Sequence, residues 1–131
     1  MHVLRHVIAS LKPGGVVLDL QVIPPNPIVE ASGDIVCEID GARLLEQAAA
    51  ATVAIDELVA RRRLCEQAVD DHDVRHHYRT GADLIDDFAD SGRKIPDDAV
   101  PSLLGLDRPV VVRERCRLRR LKLLELECIP V

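Results

Sequence analysis

Residues Leu11–Val22 read LKPGGVVLDLQV, and the order of features there restricts the fold more than any other part of the chain. Upstream, Leu4, Val7, Ile8 and Leu11 recur at helical spacing. Pro13 stops that helix and presets the first central position of a tight turn. Gly14 supplies the positive φ that a type II turn needs at the second. Downstream, Val16, Val17, Leu18, Leu20 and Val22 form a near-continuous apolar run, the pattern of a strand buried on both faces. The glycines therefore lead from a helix into a strand. A phosphate-binding loop has the opposite polarity, so these glycines face no phosphate.

At 131 residues the chain is one domain, 1–131, with room for a real core. It holds one Phe, one Tyr and no Trp, so that core must come from Leu, Val, Ile and Ala. The same scarcity disfavours nucleic-acid modules that stack bases on aromatic rings. A net charge of −5 disfavours a general polyanion binder. Cys37, Cys65, Cys116 and Cys128 contain no C-x-x-C pair and match no zinc framework. With no signal peptide and no apolar run of membrane length, they read as buried, reduced thiols of a cytoplasmic protein. A disulfide set in a secreted domain is the alternative.

After the first strand comes a long connection from Ile23 to Gly41, whose early prolines exclude a helix and whose DIVCEI piece suits a short strand. The clearest element is a helix over Ala42–Arg63, with Leu44, Leu45, Ala48, Thr52, Ile55, Leu58 and Val59 in one stripe. Asp40 reads as its N-cap, and three arginines suit its C-terminal end. Leu64–Tyr78 is strand-like in its first half and polar in its second. GADLIDDFADS predicts a short helix packing Leu84, Ile85 and Phe88, and Pro101–Leu106 another; RPVVVRERCRLRRLKLL alternates as a strand.

Three constellations carry potential chemistry. The segment DDHDVRHHY gathers His72, His76 and His77. A helix would bring His72 and His76 together at i, i+4, as metal ligands are spaced; a strand would set His72 and His76 on one face and His77 on the other. Neither supplies the three or four converging ligands of a zinc site, which leaves a ligand cleft or a solvated segment. A strand would also align Arg113, Arg115, Arg117 and Arg119, either as a nucleic-acid stripe or as heads paired with nearby carboxylates. The acidic pairs Asp70-Asp71, Asp86-Asp87 and Asp97-Asp98 read as solvated or capping groups, since adjacent residues do not face one another on a helix.

The element order, with Leu11-Lys12-Pro13-Gly14-Gly15 at its joint, resembles the C-terminal half of a class I S-adenosylmethionine-dependent methyltransferase. The resemblance runs from about Val3 to Lys122 and implies an α/β fold with a partial Rossmann-like methyltransferase sheet. That sheet would have about three or four strands, mixed, closed by an antiparallel pair and flanked by helices. The family's glycine-rich cofactor loop lies upstream of the joint, where this sequence has Met1–Ser10. The resemblance thus implies no S-adenosylmethionine binding by this chain alone, and binding only if a partner completes it. It places Gln21 and Asn26 near a substrate-side cleft that His72, His76 and His77 would extend. It also implies a bare sheet edge, hence a homodimer or a partner chain, with neither nucleic acid nor membrane as partner. The expected function is a methyltransferase-like structural or interaction module; the alternatives are an active methyltransferase completed by a partner, or a small-molecule binding domain.

Overall fold

The computed structural model describes residues 2–89 and 91–124. Cys128 and Asp90, both within segments considered above, lie outside the described residues. Helix α1 (His2–Ser10) ends before Pro13, and Gly15 N–H donates to the Lys12 carbonyl at 2.8 Å across a turn in which Gly14 has φ 77°. The joint is the type II turn its residues predict. It leads into strand β1 (Val16–Val22).

The connection that follows is not a loop throughout. Strands β2 (Ile28–Ala31) and β3 (Asp34–Glu38) form a hairpin across Ser32 and Gly33, both at positive φ, as a primed hairpin turn requires. Helix α2 (Ala42–Ala60) starts where expected, but its cap lies one residue beyond Asp40: Gly41 holds the cap position, and Asp40 Oδ1 accepts the Ala42 N–H at 3.1 Å. Strand β4 (Leu64–Tyr78) takes in the whole of the ambiguous segment. Helices α3 (Gly81–Phe88) and α4 (Val100–Leu104) precede the long last strand, β5 (Val110–Leu123).

β5 organises the sheet. Along one side it pairs with β4 over nearly its full length. Along the other it pairs first with β2, through Val111–Arg113, and then with β1, through Cys116–Lys122. The proline-rich break between β1 and β2 separates those two stretches, since proline has no N–H to give a ladder. The result is a five-stranded sheet, β1-β5-β2-β3 with β4 on β5, in which every pairing is antiparallel. This corrects the expected mixed, Rossmann-like sheet. The reason is that β5 inserts between β1 and β4 and runs against both, so no two parallel strands become neighbours. The hairpin then adds two more antiparallel strands that an irregular connection would not have supplied.

β5 also changes its buried face along its length. Its first half buries the even-numbered Val110, Val112, Glu114 and Cys116, and its second half buries the odd-numbered Arg119 and Leu121. One apolar cluster accordingly joins Val110 and Val112 to Val29, Leu84, Phe88 and Leu103, under α3 and α4. The other joins Leu121 to Ile55 and Leu64, with Leu4, Ile8 and Val17 packed against it from α1 and β1. β1 is therefore not buried on both faces, as its apolar run suggests. Leu18 and Leu20, on its even side, are 64% and 52% exposed.

Candidate functional site

The odd-numbered face of β5 is a ladder of ion pairs. Arg113 Nη2 lies 2.8 Å from Glu30, Arg115 Nη1 lies 3.2 Å from Asp73, and Arg117 grips Asp71 with two nitrogens at 2.8 and 2.9 Å. Arg119 meets Glu66 at 2.6 Å and Asp56 at 2.9 Å. These residues share a face because the β4 register sets Asp71 opposite Arg117 and Asp73 opposite Arg115. The forked Arg117 contact holds the Asp71 carboxyl below its ordinary range and lifts Arg117. The arginine heads are committed to carboxylates of the same chain.

The even-numbered face holds a buried polar cluster. Glu114 is 2% exposed, and both its oxygens accept from Arg93, Oε1 from Nε and Oε2 from Nη2 at 2.9 Å. His76 Nε2 stands 3.8 Å from Glu114 Oε1. The guanidinium of Arg93 lies 5.5 Å above the Phe88 ring, which Tyr78 meets edge-on. Tyr78 donates to Asp87 at 2.5 Å, and burial with that bond pushes its hydroxyl up to about 12. Beside this cluster lies an open groove of about 600 Å³, lined by Arg43, Phe88, Arg93 and Lys94 among others. Nucleophilic chemistry has little support here. Burial pushes the Cys116 thiol up, as it does Cys37, which keeps both protonated.

The expected cleft residues do not converge. Gln21 Nε2 donates to Asp19 at 2.8 Å on its own strand. Asn26 is a latch, giving Nδ2 to Glu38 at 3.0 Å and accepting the Gly41 N–H at 3.2 Å. His72 lies 2.9 Å from Asp70 and opposite Cys116. His76 shares its face, four residues on and thus about 13 Å along the strand. His77 is on the other face, opposite Val111. No group of three or more His, Cys, Asp or Glu able to hold a metal ion occurs among the described residues.

Nor do the described residues fit S-adenosylmethionine. The glycines that open helices after strands are committed to packing. Gly41 gives its N–H to Asn26, and a Cβ there would stand 3.1 Å from Pro27. At Gly81 a Cβ would collide with the Leu103 carbonyl oxygen, so α3 rests directly on α4. Neither backbone is free to approach a ligand.

What remains open is the outer edge of β1. Ile23 N–H donates to the Arg115 carbonyl, and Leu123 N–H donates to that of Gly15. The β1–β5 register has no shift between these points, so the odd-numbered residues of β1 turn their backbone groups toward β5. Val16, Leu18, Leu20 and Val22 turn theirs away, and β1 has no second neighbour among the described residues. Leu18 and Leu20 thus combine an outward backbone with an exposed apolar side chain. In the sequence a bare edge is expected only through the family resemblance; the alternation of Leu18, Asp19, Leu20 and Gln21 is the local signal for it.

Among the described residues these features define an antiparallel α/β protein with one unprotected edge strand. Comparison with known proteins adds no identity: no family model, no curated protein and no solved structure matches the chain. Among the described residues, no helix is long and apolar enough to cross a membrane.

Proposed function

We propose that the chain is an interaction module that captures a partner's strand along the outer edge of β1. The observation that carries this reading is the coincidence, at Leu18 and Leu20, of unpaired outward backbone groups with exposed leucine side chains. Strand addition draws affinity from such main-chain groups and specificity from alternate side chains. The other free edges are guarded. β4 is lined with charge and carries a register shift between Glu66 and Ala68, and β3 is five residues with Asp34 and Glu38 at its ends. β1 has no proline, lysine or bulge.

The test is titration of a labelled peptide spanning residues 16–22, with terminal lysines for solubility, into the chain. Saturable binding is expected. Leu20→Pro should weaken it about tenfold or more, because it removes an outward N–H while sparing the bonds to β5. A wild-type chain that neither binds the peptide nor self-associates would overturn the proposal. One second reading, in which the partner's chain carries S-adenosylmethionine, draws its support from the Leu11–Gly15 joint between α1 and β1. Calorimetry separates the two: the second reading requires cofactor binding by the complex and none by this chain.

A further inference from the structure

Resting on that edge reading, we infer that the partner strand is β1 of a second copy, paired antiparallel about a two-fold axis that sets Leu20 against Leu20. A two-fold axis normal to the sheet keeps each face continuous, so only residues of like parity can oppose. With Leu20 at the centre, Leu18 meets Val22 of the second copy, so the even side presents apolar groups to apolar groups. On the odd side, Asp19 meets Gln21 of the second copy, a carboxylate against an amide donor. Within one chain Gln21 Nε2 already donates to Asp19 Oδ1 at 2.8 Å, so the same carboxylate and amide are matched along the strand as they are across the seam.

The competing registers are worse. Centring on Asp19 sets two carboxylates directly opposite, at a position where the backbone alternation brings side chains closest. Centring on Leu18 sets Asp19 against Val17 and leaves the carboxylate without a donor across the seam. The strand is therefore self-complementary in one register, which is what an isologous contact demands of a single patch. A seven-residue seam is small, so association belongs in the micromolar range rather than the nanomolar.

Sedimentation at roughly 1 to 100 µM tests this, together with oxidation of single-cysteine variants and mass spectrometry of the linked peptides. A concentration-dependent dimer is expected for the wild-type chain and a monomer for Leu20→Pro. Leu18→Lys, which keeps every backbone group, should also be monomeric and guards against a proline variant that fails to fold. Leu20→Cys should link to itself at residue 20, whereas Asp19→Cys and Leu18→Cys should not. A wild-type monomer throughout that range overturns the second copy; the edge reading survives that result if the peptide still binds. A dimer indifferent to both variants overturns it as well, and linkage through Asp19→Cys in place of Leu20→Cys overturns the register.

Discussion

Glu114 illustrates what a buried charge requires. Removing a carboxylate from water costs several kcal/mol unless its oxygens are answered, and here both are met by one guanidinium. Arg93 is in turn held by Phe88, and Phe88 makes a T-shaped contact with Tyr78, so one ionic contact orders a short chain of aromatic contacts. Tyr78 reports on that order. It is the sole tyrosine, and its hydroxyl is raised from 10.0 to about 12, first by burial and then by its bond to Asp87. A phenol with a raised pKa favours the folded state while it stays protonated. Its contribution is fully present below pH 10 and is lost as pH rises from there toward about 12. Ultraviolet titration of the folded chain should therefore show phenolate appearing well above pH 10, and Tyr78→Phe should flatten the alkaline fall in stability. A phenolate midpoint at the ordinary value would show that the hydroxyl is neither buried nor held by Asp87.

At the scale of elements, the end of α2 shows how local chemistry and tertiary context divide the work. The apolar stripe marks the helix correctly, but the three arginines extend the expected end to Arg63, whereas the helix stops at Ala60. Arg62 takes φ 57°, with its N–H on the Val59 carbonyl and that of Arg63 on the Leu58 carbonyl, which is a Schellman ending. That position suits glycine, so nothing in an arginine run announces it. Arg62→Gly should stabilise the chain by about 0.5–1 kcal/mol in urea denaturation. It relieves roughly 1–2 kcal/mol of left-handed strain against the extra chain entropy that glycine loses on folding. A loss of stability would mean that the arginine side chain contributes more than its backbone costs.

The same division explains what was legible elsewhere. Pro13-Gly14 and the stripe of α2 act within a turn or two of chain, so the residues suffice to place the joint, β1 and the helix. The second half of β4 looks unfit for a strand in sequence because Asp71 and Asp73 are answered by Arg113, Arg115 and Arg117, some forty residues further on. The Ser32-Gly33 hairpin turn went unread, and with it β2, four residues broken by a register shift after Val29. Strand direction was out of reach locally: an apolar run marks burial, not which neighbour lies beside it. Of the expected site residues, only their assignment to faces was fixed by alternation. Their distance along β4 and the latch role of Asn26 depended on the fold.

For the molecule as a whole, the change of buried face along β5 has an energetic consequence. The two apolar clusters share no residue, lie on opposite faces of the sheet and are bridged chiefly by the backbone of β4 and β5. Each alone is small, and each leaves the opposite face of its own end open, which is how β1 comes to expose leucines beside a free edge. Truncations in separate clusters should then act independently. Leu84→Ala under α3 should cost about 3 kcal/mol and Ile55→Val in α2 about 1 kcal/mol. Their double variant should lose the sum to within about 0.5 kcal/mol, as sites without shared partners do. Denaturation followed by circular dichroism, for the single and double variants, measures the coupling. Because both clusters are built on one strand, the transition should stay single in every variant, with no intermediate that keeps one end folded. A coupling above about 1 kcal/mol would mean that the clusters form one continuous core through the sheet. In that case the exposed leucines of β1 would reflect the trim of a single core rather than apolar side chains left uncovered beside a free edge.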